Sequence, residues 1–177
     1  MSDLFDQYQD VISLSDKRLP KMKDIAADIN LRPDAKPVIC QGYPVPERLR
    51  LGLTQMLEDA EAAGIITKIT NEQVQWVSPS FLVKRNREGK DSEDELPFNK
   101  RYRLVINFSR LNEQTVKGPT ILPITPHEIS RLQGNRYFTS IDLKAYYHSI
   151  PLTDEGKMKS VFVANGLLYK PNVVVEE

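Results

Sequence analysis

Hydrophobic residues recur with a helical period between residues 46 and 63. At 3.6 residues per turn, they fall on one face of a helix. This apolar face carries Leu49, Leu53, Met56, Leu57 and Ala60. Pro46 suits a first helical turn and Gly64 suits a helix end, because a first turn leaves its N–H groups unpaired and glycine accepts the left-handed conformation of a cap. The pattern therefore predicts an amphipathic helix over residues 46–63.

Four short apolar runs favour β-strands. Residues 65–69 and 81–84 are separated by a polar link ending in Ser78–Pro79–Ser80, which predicts two strands with a turn between them. Residues 103–108 (RLVINF) predict a third strand. The side chains of residues 137–142 (YFTSID) alternate between two faces, as the two-residue period of a strand requires.

The remaining segments predict loops, a tether and one short helix. Residues 1–36 lack a sustained hydrophobic period and predict an N-terminal tether. Residues 85–100 combine glycine, proline and many charges, so an exposed hairpin loop that buries nothing is expected there. Residues 125–128 (TPHE) match a capping box with proline at the first helical position, which predicts a short helix ending at Gly134.

The overall charge gives no general argument for nucleic-acid binding. The 177 residues hold 24 Lys and Arg against 24 Asp and Glu, for a net charge of zero. Residues 84–103 are a local exception, because seven basic side chains there outnumber five acidic ones that cluster in the loop. The basic residues at the two strand ends are thus placed to contact phosphates, with a solvated charged hairpin as the alternative.

Cysteine usage and the N-terminal pattern exclude several classes of protein. A single cysteine rules out an internal disulfide, and two histidines argue against a histidine metal cluster. The first ten residues lack the basic and apolar regions of a secretory signal. No apolar run approaches the ~20 residues that span a bilayer. We expect an intracellular protein, cytoplasmic or nuclear, that is not secreted and has no membrane partner.

Asp142 is a candidate for chemistry because of its position. It ends the predicted strand over residues 137–142, and helix-favouring residues follow it. A carboxylate at a strand end can bind a divalent cation. The same position suits an aspartate that caps the following helix. Spacing alone leaves both interpretations open.

Five segments carry a family resemblance. They are PVICQGYPVPERLRLGLTQMLEDAEAAGIITKIT at 37–70, VSPSFLVKR at 77–85, YRLVINFSRLNEQT at 102–115, YFTSIDLKAYYHSIPL at 137–152 and KMKSVF at 157–162. In this order they resemble the entry segment with the first helix, the first fingers strand, the arginine-containing segment that follows it, the first catalytic-aspartate motif and the stretch after that motif. The family is the reverse transcriptases of long-terminal-repeat retrotransposons and retroviruses. The resemblance extends over roughly residues 25–170.

The resemblance implies an α+β fold, in which antiparallel strands plus helices build the fingers and a partial palm of a right-hand polymerase. The implied organisation has four parts. They are an N-terminal tether at 1–36, fingers and palm entry at 37–136, a partial palm with the first catalytic-aspartate motif at 137–170, and an unmatched tail at 171–177.

The resemblance also implies a metal site. Asp142 matches the first catalytic, metal-binding aspartate, and the carbonyl of Leu143 matches a second ligand to Mg²⁺. The family's paired aspartates are absent, since no two aspartates are adjacent in this sequence. Asn107 and Ser109 also stand where the family usually has aspartate and arginine. Two-metal phosphoryl transfer needs several converging carboxylates, so the chain alone is expected to be inactive.

Five further residues match positions that contact nucleotide or template in the family. Arg103 matches the fingers arginine that reaches the incoming triphosphate. Lys84 or Arg85 matches the fingers lysine, and aligning VSPSFLVKR favours Arg85. Tyr147 matches the aromatic residue that packs beneath the sugar and rejects a 2′-hydroxyl. Phe81 either contacts the template base or packs as an ordinary strand residue.

The function implied is that of a retroelement-derived fragment of an RNA-directed DNA polymerase. Its implied partners are an RNA or DNA template-primer and deoxynucleoside triphosphates. One alternative is a non-catalytic module that binds nucleic acid, binds a protein, or self-associates through an exposed, truncated palm. Another alternative is a fragment without a function of its own.

Overall fold

Residues 21–70, 74–85, 96–118, 125–140 and 146–175 are described by a computed structural model. Their helices are α1 (Glu47–Ala62), α2 (Phe98–Arg101), α3 (Ser109–Asn112), α4 (Thr125–Ser130) and α5 (Asp154–Lys159), with a 3-10 helix at Tyr146–Ser149. Their strands are β1 (Ile66–Ile69), β2 (Ser78–Lys84), β3 (Tyr102–Ile106), β4 (Phe162–Ala164) and β5 (Leu167–Pro171). The α+β class is thereby confirmed, and α4 confirms the short helix predicted after the capping box.

Helix α1 makes a central contribution to the hydrophobic core. Its bounds confirm the helix predicted over residues 46–63 to within one residue at each end. Leu53 and Leu57 are buried in one cluster with Phe162 of β4 and Tyr169 of β5. Burial of this apolar stripe anchors α1 to the sheet. No described helix, α1 included, has the length and apolar character needed to cross a membrane.

The strands form one five-stranded sheet in the order β1-β5-β4-β2-β3. β2 and β4 run parallel, and the other neighbouring pairs run antiparallel. β1 and β2 are therefore not neighbours, because β5 and β4, which come later in the chain, lie between them. The polar link predicted to end in Ser78–Pro79–Ser80 ends earlier, since these residues begin β2 and Pro79 lies opposite Val163.

Pro79 fits inside β2 because only its carbonyl is needed there. That carbonyl accepts a hydrogen bond from the backbone N–H of Asn107 at 2.9 Å. Proline has no N–H that could be left unpaired. The Ser80 hydroxyl donates to the carbonyl of Val163 at 2.8 Å, so it adds a bond between β2 and β4. Residue types that favour turns thus serve as strand residues here.

β2 and β3 form the predicted hairpin. Residues 80–84 pair in antiparallel register with residues 106–102. Residues 86–95, between the two strands, lie outside the described residues. The register fixes which side chains of the two strands share a face.

Residues 85–100 do not all stay exposed as predicted, because Phe98 packs into the structure. Its ring stacks on Tyr102, with centroids 4.8 Å apart and 28° between the ring planes. The same ring lies against Gly52 in α1, where a Cβ atom would overlap it. The start of β3 is therefore fixed against α1 by an aromatic contact.

The strand predicted over residues 137–142 is wrong for its described part. Residues 137–140 belong to no strand. The alternating pattern assigns Tyr137 and Phe138 to opposite faces of a strand, but both are exposed, at 93% and 66%. Alternation defines two faces, but a strand also needs a neighbour that satisfies its backbone hydrogen bonds. No described strand pairs with residues 137–140. Asp142 lies outside the described residues.

Both described ends of the chain bond to the segment that follows the 3-10 helix. The backbone N–H of Ala27, in the predicted tether, donates to the Pro151 carbonyl at 2.8 Å. In the predicted tail, the Asn172 carbonyl accepts from the N–H of Leu152 at 3.0 Å. Val173 is 1% exposed, so this part of the tail is buried. The two ends thereby hold residues 146–153 in place from both sides.

Candidate nucleotide site

The register of the hairpin puts two arginines on the same face. Val83 lies opposite Arg103 in the β2–β3 ladder, and Arg85 extends the ladder by donating its N–H to the Arg101 carbonyl at 2.8 Å. Directly opposed residues project to the same face, as do residues two apart along a strand. Arg85 and Arg103 therefore share a face, and Lys84 projects to the other.

Arg85 and Arg103 line one cavity of about 280 Å³. Met56 and Leu57 of α1 contribute an apolar wall, and His148 of the 3-10 helix lines the same cavity. This volume is close to the lower end of the ~300–1,000 Å³ of typical ligand pockets. Apolar walls lower the local dielectric and strengthen the attraction of a cation for an anion.

The two arginines carry positive charge that no acidic side chain neutralises in the described part of the chain. Neither Arg85 nor Arg103 forms an ion pair there. A guanidinium donates two parallel hydrogen bonds to phosphate oxygens, and two guanidiniums on one face offer a pair of such contacts. The chemistry available at this cavity is the binding of a phosphate or polyphosphate.

Tyr147 lies in the 3-10 helix, one residue before His148. Its side chain is half-exposed, and its ring meets Tyr146 edge to face at a centroid distance of 6.2 Å. The Tyr147 carbonyl accepts from the N–H of Ile150 at 3.1 Å, which holds the turn. An exposed aromatic ring is thus presented by the same 3-10 helix that contributes His148 to the cavity.

Phe81 of β2 is part of an exposed aromatic pair. Its ring meets Tyr43 edge to face, with centroids 5.8 Å apart and planes at 87°. Phe81 is 37% exposed and Tyr43 is 49% exposed, so both rings reach solvent. Base stacking on exposed aromatic rings is a common means of binding single strands. The contact thus supports the template interpretation of Phe81 alongside strand packing.

Tyr43 and His148 were not singled out for function by the sequence analysis. Tyr43 reaches Phe81 because Ile39 pairs with Val77, and this contact joins positions 38 residues apart. No local sequence pattern predicts such a contact. His148 had a weak signal, since it adjoins Tyr147 within the catalytic-aspartate motif.

Asp142 and Leu143 lie outside the described residues, so their position relative to Arg103 is not part of this geometry. The described residues contain no group of three or more His, Cys, Asp or Glu side chains that could hold a metal ion. The donors implied at Asp142 and Leu143 are a carboxylate and a carbonyl oxygen, which are ligand types that Mg²⁺ accepts. The donor set fits the ion chemically but supplies a single carboxylate.

The described groups with shifted pKa values do not line this cavity. A hydrogen bond from the Thr153 hydroxyl is the main cause that lowers the pKa of Asp28, and Lys159 adds to it. The Lys157 ammonium lowers the pKa of Asp154. Burial raises the pKa of the Tyr169 hydroxyl. The titration of these groups therefore affects the stability of the fold and not the charge of the cavity.

Comparison with curated proteins finds retroelement polyproteins. The chain is 30% identical over 162 residues to the retrovirus-related Pol polyprotein from transposon gypsy of Drosophila melanogaster, which covers 89% of this chain and 14% of the relative. It is 25% identical over 126 residues to the corresponding polyprotein from transposon opus of the same species, with 71% and 12% covered. The Tf2-3 transposon polyprotein of Schizosaccharomyces pombe is 22% identical over 164 residues, with 92% and 11% covered. The chain thus spans about one seventh or less of these relatives. No family profile matches it.

Comparison with solved structures finds the same fold in viral enzymes. The protease-reverse transcriptase of prototype foamy virus superposes with a TM-score of 0.70 at 16% identity, covering 98% of this chain and 21% of that one. The foamy viral protease-reverse transcriptase in complex with double-stranded DNA superposes with a TM-score of 0.67 at 15% identity, covering 98% and 27%. These superpositions show that this chain has the same fold as the matching part of each viral enzyme.

Proposed function

We propose, from the premise that this chain is a reverse-transcriptase-like fragment related to retrotransposon Pol polyproteins, that it forms the fingers and the first part of the palm of a larger RNA-directed DNA polymerase. The observation that carries the proposal is the pair of arginines, Arg85 and Arg103, at one cavity beside the helix that bears Tyr147. The larger enzyme would add deoxynucleotides to a primer on an RNA or DNA template.

Each side chain of the site has a role in this proposal. Arg85 and Arg103 bind the triphosphate of the incoming deoxynucleotide through paired hydrogen bonds. Tyr147 packs beneath the sugar and excludes a 2′-hydroxyl. Phe81 stacks against a template base, with Tyr43 supporting its ring edge to face. The foamy viral neighbour that is bound to double-stranded DNA supports a nucleic-acid partner.

The proposed organisation follows the resemblance. Residues 37–136 form the fingers and palm entry, and residues 137–170 form a partial palm. Residues 1–36 precede them as a tether, and residues 171–177 follow them as a tail. The resemblance supports this division.

Asp142 and the carbonyl of Leu143 hold Mg²⁺ in this proposal. When bound, the ion offsets the negative charge of the triphosphate. The sequence has no adjacent pair of aspartates, so this chain does not itself supply the paired carboxylates that two-metal phosphoryl transfer uses in the family. We therefore expect no primer extension by this chain alone with a template-primer, deoxynucleotides and Mg²⁺. Template-dependent extension that Asp142→Asn abolishes would contradict this expectation.

The anion-binding role is tested by comparing two charge-removing substitutions on neighbouring strands of the hairpin. Arg103→Gln removes a guanidinium from the cavity face, whereas Lys84→Gln removes one positive charge from the opposite face. A hydrogen bond to a charged group contributes ~1.5–3 kcal/mol, so Arg103→Gln should weaken binding of dTTP by roughly 10-fold to 100-fold. Lys84→Gln should change it by less than about threefold, because exposed charges act weakly through solvent.

Titration calorimetry with dTTP and Mg²⁺ at low salt measures both effects. Circular dichroism of each variant confirms that the fold is retained. Equal losses in Arg103→Gln and Lys84→Gln would indicate a diffuse electrostatic attraction and would refute a site on the Arg103 face. Binding that neither substitution changes would refute the proposed role of the hairpin altogether.

A further inference from the structure

His148 is a third polar side chain at the cavity that Arg85 and Arg103 line. The chain has two histidines, and the other, His127, lies in α4. His148 is partly buried. Tyr147 precedes it in the 3-10 helix, and Arg85 and Arg103 line the same cavity. Nothing in the roles given above uses this imidazole.

The backbone that carries His148 is held on several sides. The Ser149 hydroxyl donates to the Tyr146 carbonyl at 2.6 Å, within the same 3-10 helix. The Ser149 carbonyl accepts from the N–H of Met22 at 2.7 Å, and the Ile150 carbonyl accepts from that of Val174 at 2.9 Å. Segments near both ends of the described chain thus fix the turn. A fixed backbone positions a side chain for binding at a low entropic cost.

Other groups share the cavity with His148, which also makes an interaction of its own. The charged ones are Arg85 at the end of β2 and Arg103 on β3. Helix α1 presents Met56 and Leu57, and the C-terminal segment presents Val175, none of which titrates. An anion in this cavity would meet two permanent cations and one group whose charge changes near neutral pH.

We propose that His148 is an additional binding residue for the polyphosphate of the nucleotide, donating an N–H to a phosphate oxygen that Arg85 and Arg103 hold in the cavity. The inference rests on the function proposed above. A nearby polyphosphate favours the imidazolium over the neutral ring. Binding of the anion therefore favours uptake of a proton, and we expect the affinity to rise as the pH falls from 8 to 6.

The test compares the wild-type chain with His148→Gln and with His127→Gln as a matched control. Titration calorimetry at pH 6 and pH 8 uses inorganic tripolyphosphate and dTTP as probes. The phosphates of both probes also titrate, but equally for every variant, so the readout is the ratio of each variant's affinity to that of the wild type. We expect His148→Gln to weaken binding at pH 6 by about tenfold and at pH 8 by less than about twofold. His127→Gln should match the wild type at both pH values.

Proton uptake gives a second readout that does not depend on a variant. Calorimetry at pH 6.5 in buffers of different ionisation enthalpy should show net uptake by the wild type beyond that expected from the probe alone. Absence of this extra uptake, in a chain that binds the probe, would overturn the inference. This measurement also decides the matter if circular dichroism shows that His148→Gln does not fold.

Failure of the inference differs from failure of the proposed function. If Arg103→Gln weakens binding while His148→Gln has the wild-type pH profile, the proposed anion site is supported and the proposed role of His148 is refuted. If a folded wild-type chain binds neither probe at either pH, the anion site and the role of His148 are both refuted. Similar weakening of tripolyphosphate and dTTP by His148→Gln would support a phosphate contact, since the triphosphate is common to both probes.

Discussion

Gly52→Ala should destabilise the chain, although alanine normally favours a helix. In the interior of a helix, glycine is less stable than alanine by ~0.5–1 kcal/mol. At Gly52, however, a Cβ atom would lie 2.5 Å from Cε2 and Cγ of Phe98, and it would contact Cδ2 as well. Real Cβ atoms do not approach carbon this closely, so the ring must move or α1 must shift.

The expected magnitude follows from the two opposing effects. Overpacking of this kind costs ~1–3 kcal/mol, and it includes part of the ~0.5–1.5 kcal/mol from the stacking of Phe98 on Tyr102. Subtracting the gain in helix propensity leaves a net loss of about 0.5–2 kcal/mol in the free energy of unfolding. Urea denaturation followed by circular dichroism measures it at the precision required.

Phe98→Ala provides the decisive background for this prediction. Without the ring, the three closest contacts of a Cβ atom at residue 52 are removed, so Gly52→Ala should now stabilise the chain by ~0.5–1 kcal/mol. The sign of the effect therefore reverses between the two backgrounds. If Gly52→Ala stabilises the wild type as much as it stabilises Phe98→Ala, the close contact does not exist and the reasoning is refuted.

Two further predictions concern stability elsewhere in the fold. The pKa of Asp28 lies below its ordinary value of 3.8, chiefly through the Thr153 hydroxyl, so its contribution is present above pH 3.8 and is lost as the pH falls through the lower folded value. When the urea midpoint is plotted against pH between 2.5 and 6, Asp28→Asn should reduce the fall of the midpoint at low pH. An unchanged fall would show that other carboxylates dominate the acid sensitivity. Ser80→Ala removes the bond to the Val163 carbonyl in a residue that is 4% exposed, and should cost ~1–2 kcal/mol in urea denaturation. Ser80→Thr keeps the hydroxyl as the control, and equal losses in the two variants would point to packing instead of the hydrogen bond.

Local features of the fold were predictable from the sequence because they depend on neighbouring residues. The helix over residues 46–63 follows from one apolar stripe, and its ends follow from proline and glycine chemistry. The β2–β3 hairpin follows from two apolar runs around a charged loop. The parallel pairing of β2 with β4 did not follow, because it joins segments about 80 residues apart and depends on the whole core. The packing of Phe98 depends likewise on a distant glycine.

Predictability of the candidate site divides in a similar way. Phe81, Lys84, Arg85, Arg103 and Tyr147 were identified from residue types within matched motifs. The choice between Lys84 and Arg85 needed the register of the hairpin, because neighbouring residues on a strand project to opposite faces. That register puts Arg85 with Arg103, in agreement with the choice made from motif alignment. Asp142 and Leu143 lie outside the described residues, and their roles stay predictions.

The position of Arg103 depends on contacts that are far from any nucleotide. β3 is at the edge of the described sheet, with β2 as its strand neighbour, so its first residues need a second support. Tyr102 supplies it through Phe98, which rests on Gly52 of α1. A substitution at Gly52 therefore acts on the residue next to Arg103 without touching the cavity. If this support matters for binding, Gly52→Ala should weaken dTTP binding in the wild type, and should leave it unchanged when Phe98 is already alanine.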